Sequence, residues 1–183
     1  KGLDFPNVTL AGILNADSGL SMPDLRASER TFHLIAQMAG RSGRGSTQGD
    51  VLVQTLSPEH PAILYAKTED YIGFAENELA ERRELSYPPY TRFICITFKG
   101  EDKSAVHEYA RRFQNAVGQS AHYRIGDPCL APLEKIKKNW RYQITIFGEK
   151  IGFMSKRIRA AALAAPPPPA IHLAIDIDCL NSL

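Results

Sequence analysis

Cysteine is scarce in this chain: three among 183 residues, Cys95, Cys129 and Cys179, far apart and odd in number. Neither a disulfide framework nor a CxxC metal site fits that spacing, and the apolar or proline-flanked strings around them mark core thiols of a reducing compartment. Long apolar runs are also lacking. None approaches the roughly 18 to 20 residues that a membrane span needs, and the opening KGLDFPNV is neither a signal peptide nor an amphipathic transit segment. Charge of one sign is not in excess, with 22 Lys plus Arg against 20 Asp plus Glu and a net charge of +2. With 44% hydrophobic residues, this balance excludes disorder and collagen and describes a folded soluble protein of one large domain or two small ones. No GxxxxGK[ST] phosphate loop occurs. The chain opens on Lys1-Gly2-Leu3-Asp4, which reads as the middle of a motif, so a fragment is expected.

The near-neutral total hides local asymmetry. From residue 130 to 160 there are eight basic residues (Lys135, Lys137, Lys138, Arg141, Lys150, Lys156, Arg157 and Arg159) against Glu134 and Glu149. Residues 67–84 are acid-rich instead, spaced as on the wet side of an amphipathic helix whose other side carries Tyr71, Phe74, Ala75, Leu79 and Ala80. That stretch is expected to be a connector helix.

Residues 8–14 form a short, mostly apolar run without helix caps, as expected of a strand buried on both faces of a parallel sheet. Ser28 is placed to cap a helix running to about Ala39, with Phe32, Ile35, Met38 and Ala39 at helical spacing and Gly40 at its end. A glycine-punctuated basic loop, Arg41-Ser42-Gly43-Arg44-Gly45, leads to a second strand over 50–55. The sum is a βαβ unit. Tyr87-Pro88-Pro89-Tyr90 breaks any helix and sets a boundary, giving segments 1–84, 85–90 and 91–183.

Beyond it the patterns predict strand 91–98, helix 102–117, strands 129–136 and 140–147, helix 151–164 and strand 171–177. This βαββαβ order fits the ferredoxin-like plan, with two helices on one face of an antiparallel sheet. Pro166 to Pro169 act as a stiff link into the last strand, which is favoured over a ligand for a proline-binding domain.

Two clusters carry chemistry. In Gln37-Met38-Ala39-Gly40-Arg41-Ser42-Gly43-Arg44, two arginines three apart beside a helix end suit bidentate pairing with a phosphate, or simply close a solvated helix. In the basic hairpin, Lys135, Lys137, Lys138 and Arg141 surround Trp140 and Tyr142, with Gln143 following. Cations for phosphates and rings for stacking on bases are the combination nucleic-acid surfaces use, although the rings could equally fill a sheet face while the lysines keep a loop soluble. The five histidines are scattered without metal or nucleophile spacing. Asp176 and Asp178 alternate in the last strand and are read as solvent-facing rather than as a paired-carboxylate site.

The wording of DFPNVTLAGILNADSGL, PDLRASERTFHLIAQMAGRSGRG, GDVLVQT, PEHPAI and ELAERRELSYPPYTR resembles the PriA family of bacterial replication-restart helicases over the whole chain. The first two segments resemble motifs V and VI of the second RecA-like lobe of superfamily-two helicases, and the part from YPPY onward resembles that family's own C-terminal domain. The fold implied is α/β: the C-terminal part of a RecA-like lobe with a parallel sheet and connector helix (1–84), a proline-rich linker (85–90), and a ferredoxin-like DNA-binding domain (91–183).

The resemblance makes Arg41 and Arg44 arginine fingers toward the γ-phosphate of ATP, with Gln37 beside the nucleotide. Gly2 and Asp4 match motif V, which in the family couples the nucleotide site to the DNA track, and Gly40 is placed with them among the cofactor-binding residues. ATP and Mg²⁺ are implied for the full-length protein and not for this fragment, which lacks the phosphate loop and a DExH-type box and should be inactive alone. The family's zinc insertion is expected outside the chain, so no metal is expected here. The implied partners of Lys135, Lys137, Lys138, Trp140, Arg141, Tyr142 and Gln143 are forked and single-stranded DNA and the acidic tail of single-stranded DNA-binding protein. Other primosome proteins are implied too, with no membrane and a bacterial cytoplasmic location. The rivals are a non-enzymatic nucleic-acid-binding module of ferredoxin-like fold and a RecG-like branch-migration helicase.

Overall fold

The structure, a computed structural model, describes residues 8–40 and 49–179, and the chain divides into two compact units, Lys1–Glu81 and Arg82–Leu183. Residues 1–7 and 41–48, with Gly2, Asp4, Arg41 and Arg44 among them, lie outside the described residues.

In the first unit, β1 (Leu10–Ile13) pairs in parallel with β2 (Asp50–Val53), with Ile13 opposite Val53. Between them run α1 (Asp17–Leu20) and α2 (Ala27–Ala39), and α3 (Pro61–Lys67) and α4 (Tyr71–Glu84) follow. The expectation of a strand buried on both faces is corrected. Burial alternates along β1, with Ala11 and Ile13 inside and Leu10 exposed, so the pair buries one face only. Ser28 does not cap α2 either. The helix begins at Ala27, two residues earlier than that cap requires, and the upstream Asp24 carboxylate accepts from the Arg26 N–H at 2.8 Å. The connector helix expected over 67–84 is α4, which begins at Tyr71, after α3 has ended at Lys67. Of α4 only Phe74 is buried, stacked on Phe32 of α2 at 4.2 Å between ring centroids, while Tyr71 and Leu79 stay exposed.

Asp17 ties the start of α1 to the segment just after β2, because its carboxylate accepts from Thr55 Oγ1 at 3.0 Å and from the Leu56 N–H at 2.8 Å. These donors favour the charged form and lower its pKa, with the Leu56 N–H the largest cause. Pro61 opens α3 at a position where its missing N–H costs nothing, and His60 Nδ1 accepts from the Ala62 N–H.

The second unit is an antiparallel sheet under two helices. Its elements are β3 (Arg92–Gly100), α5 (Lys103–Val117), β4 (Tyr123–Ile125), β5 (Cys129–Ile136), β6 (Asn139–Gly148), α6 (Ile151–Ala164) and β7 (His172–Ile177). The strand order is β4-β6-β3-β7, with β5 also on β6. Because β3 occupies one edge of β6 along its length, β4 and β5 share the other edge as one interrupted strand. The short β4 is an addition to the expected elements.

Alternation decides the layering. Ile94, Ile96 and Phe98 of β3 and Tyr142, Ile144 and Ile146 of β6 form one core with Val106, Tyr109 and Phe113 of α5 and Met154 and Ile158 of α6. Both helices therefore cover the same face. The Asp102 carboxylate caps α5 by accepting from the Ala105 N–H at 3.0 Å, and Gly118 ends it with φ of 74°, a backbone state that favours glycine. Gly148 allows close approach of β4: a Cβ there would lie 2.7 Å from the His122 carbonyl oxygen, a backbone atom that cannot step aside. After α6 the four prolines run to a turn in which the Ile171 N–H donates to the Pro168 carbonyl, delivering the chain to β7.

Candidate nucleic-acid interface

The basic cluster sits on the hairpin of β5 and β6, closed by Lys137 and Lys138 between the paired residues Ile136 and Asn139. Lys137 has φ of 56°. Two-residue hairpins favour such a conformation because its twist matches that of the strands, although glycine or asparagine usually supplies it. The consequence is that Lys135, Lys137 and Lys138 all stand exposed at one tip.

Behind the tip the strands part. Leu130 pairs with Tyr142 and Lys135 with Trp140, so residues 131–134 of β5 face the single residue Arg141 of β6. Pro132 lacks an N–H and is tolerated inside such a bulge. Arg141 fills the gap: it is only 6% exposed, and its Nη1 donates to the Leu133 carbonyl at 3.2 Å. Its buried Nε has no hydrogen-bond partner among the described residues. Gln143, 4% exposed, lies on the same sheet face, away from the helices, and its carbonyl is contacted by Cys129 Sγ at 3.7 Å. Tyr142 points the other way into the core, its ring 4.9 Å from that of His107.

Trp140 lies between these environments, half-buried. The Lys103 and Lys135 ammonium groups stand over its ring at 4.5 and 4.8 Å from the centroid. Lys103 opens α5 and is remote in sequence; no spacing rule pointed to it, because the contact exists only once α5 is laid on the sheet. At the other end of β6 the Arg124 guanidinium stands over Phe147 at 5.2 Å, and Tyr87 of the YPPY segment stacks on the same ring. The seven hairpin residues are thus brought together in three environments: three lysines in solvent, Trp140 half-covered by cations, and Arg141, Tyr142 and Gln143 inside.

Of the residues expected at a nucleotide, Gln37 and Gly40 lie exposed at the end of α2, where the Gly40 N–H donates to the Ala36 carbonyl at 3.0 Å. Among the described residues no group of three or more His, Cys, Asp or Glu is arranged to hold a metal, and no helix is long and apolar enough to cross a membrane.

Residues 83–180, the unit that carries this hairpin, match the family described as the primosomal protein N C-terminal domain. The chain belongs to the PriA family. Among its PriA relatives, the replication restart protein PriA of Bacillus subtilis is 42% identical over 148 residues, which is 80% of this chain and 18% of that protein. The one from Chlamydia pneumoniae is 38% identical over 100% of this chain and 25% of its own length, and that of Rickettsia felis is 35% identical over 97% and 27%. The chain thus spans about a quarter or less of the PriA proteins it matches. A likeness to a hydantoinase/carbamoylase family amidase from Burkholderia ambifaria, with a TM-score of 0.30 and 13% identity over 48% of this chain and 27% of that one, is too weak to bear on the PriA reading.

Proposed function

We propose that this chain is the C-terminal part of an ATP-dependent 3′ to 5′ DNA helicase that recognises stalled or branched replication forks and begins primosome assembly for restart. The observation that carries the reading is the lysine-tipped hairpin backed by a cation-flanked tryptophan, on a unit whose relatives are named replication restart proteins. Lysines 135, 137 and 138 would meet DNA phosphates, and Trp140 would offer a ring to an unpaired base once an ammonium moves aside. Arg141 and Gln143 would hold the shape of that surface from within. The acidic tail of single-stranded DNA-binding protein and other primosome proteins are further proposed partners, and the location is the bacterial cytoplasm.

For the whole protein the parallel βαβ unit would be the end of a RecA-like lobe, with residues outside this chain holding ATP and Mg²⁺. Gln37 and Gly40 would sit at that lobe's nucleotide edge, next to Arg41 and Arg44, whose guanidinium groups would stabilise charge developing on the transferred phosphoryl. Arginine fingers are worth about 10³ to 10⁵ in rate, so Arg41→Ala in the full-length enzyme should abolish DNA-stimulated ATPase activity. Retained activity would refute the finger assignment.

The interface is tested by fluorescence anisotropy of the chain against forked, duplex and single-stranded DNA and RNA across a salt series. Preference for the fork, steep salt dependence and loss in a Lys135/Lys137/Lys138→Ala variant are expected. The rival reading, a general nucleic-acid-binding module, draws on the same hairpin and predicts equal affinity for RNA.

A further inference from the structure

The three cysteines, scattered in sequence, gather on the sheet face opposite the helices. Cys95 alternates with the core residues Ile94 and Ile96 on β3 and is only 3% exposed. Cys129 lies one strand beyond β6 on that face, at the Gln143 carbonyl. Cys179 arrives from the other side. Ile177 pairs with Ile94, the Asp178 N–H donates to the Phe93 carbonyl at 2.7 Å, and the Arg92 guanidinium grips the Asp178 carboxylate, with Nε 3.0 Å from each oxygen. Asp178 has φ of 51°, and this turn carries Cys179 back over the sheet until its thiol hydrogen-bonds to Cys95.

We infer that Cys95 and Cys179 form a redox-active dithiol, which a low-molecular-weight disulfide such as oxidised glutathione converts to an intramolecular disulfide joining the end of β7 to the central strand. Cys179 is half-exposed and meets the oxidant first. Its thiolate attacks one sulfur of the oxidant, forming a mixed disulfide and expelling one glutathione thiolate. Cys95 then attacks the Cys179 sulfur and expels the second. Two thiol protons and two electrons leave the protein, and one oxidised glutathione becomes two reduced ones. In the reduced protein the Cys179 thiol donates to Cys95 and, with the Thr97 hydroxyl and the Arg141 charge, favours the Cys95 thiolate against burial and Asp176. Once Cys179 is in the mixed disulfide that donor is gone, and the Thr97 hydroxyl and Arg141 charge remain to favour the attacking thiolate. Burial pushes the Cys129 thiol up instead, so it is the poorer nucleophile of the cluster.

The test is native incubation of the chain with oxidised glutathione, alkylation of remaining thiols, and intact-mass and unreduced peptide analysis. The expected product has lost two hydrogens, joins the Cys95 and Cys179 peptides, and forms equally in Cys129→Ser. In Cys179→Ser no internal link forms and buried Cys95 stays reduced, with near-UV circular dichroism reporting that this variant is folded. On oxidation the backbone amides of β7 should exchange with solvent at least roughly tenfold more slowly, and dithiothreitol should reverse this. A persistent glutathione adduct on Cys179, a link made through Cys129 instead, or no reaction at all would each overturn the inference.

Discussion

Arg141 donates to the carbonyl of Leu133 across the bulge between β5 and β6, 3.2 Å away, while being almost wholly buried. The most basic side chain of the hairpin's second strand is thereby a structural plug, and the contact joins the family's basic hairpin to its own backbone rather than to solvent.

Replacing that plug should cost stability. Arg141→Met removes the charged donor to the Leu133 carbonyl, so a loss of about 1 to 3 kcal/mol is expected in urea unfolding. Arg141→Lys should not rescue it, because a single ammonium cannot reproduce the planar fork. Wild-type stability in Arg141→Met would refute the plug.

Lys137→Gly separates charge from conformation. Lysine at φ of 56° carries a Cβ penalty that glycine avoids, and against the greater freedom of glycine in the unfolded chain a net gain of about 0.5 kcal/mol is expected. Under the proposed DNA interface the same variant would lose one phosphate contact, so the slope of log K against log salt should become shallower by about 0.9. Thermal unfolding and DNA titration on one sample check both.

Arg92 and Asp178 make the end of β7 sensitive to acid. The Arg92 hydrogen bond lowers the Asp178 pKa. A depressed carboxyl contributes stability that is fully present above its unfolded value, near 3.9, and is lost as pH falls through the folded value. Hydrogen exchange at Ile94 and Ile177 should therefore accelerate below about pH 4 relative to Asp178→Asn, in which this pH-dependent part is absent. Both side chains are substantially exposed, so the effect should be local.

Trp140 is the only tryptophan, so its fluorescence reports on the proposed interface. Removing either cation, by Lys103→Gln or Lys135→Gln, should raise acrylamide quenching of its fluorescence, at a cost of about 0.5 to 1 kcal/mol each. Single-stranded DNA should quench the same signal in the wild type. Unchanged quenching in Lys103→Gln would place the ammonium elsewhere in solution.

In the second unit helix 102–117 was legible because its core residues recur at helical spacing, whereas the strand Arg92–Gly100 was legible as a short continuous apolar run, buried on both faces from Phe93 to Ile96. The structure adds β4, three residues paired to the far end of β6, too short for alternation to register. In the first unit the apolar run of β1 gave no sign of which face would be covered, and the acid-rich face of α4 concealed that Phe74 alone is buried. At the interface the residue types were legible and their directions were not. Lys135, Lys137 and Lys138 are held outward by the turn, whereas burial of Arg141 depends on a bulge that no sequence period announces. The gathering of the three cysteines is likewise a product of register.

The bulge also makes the arm modular. Residues 131–134 bow out between two correctly paired stretches, so the pairing beyond them is set by the turn at Lys137 and Lys138, and the pairing before them by the core. A residue gained or lost within 131–134 need not invert the faces of either stretch, as it would in an uninterrupted strand. The length of the arm that carries the lysines is therefore uncoupled from the positions of Ile144 and Ile146 in the core.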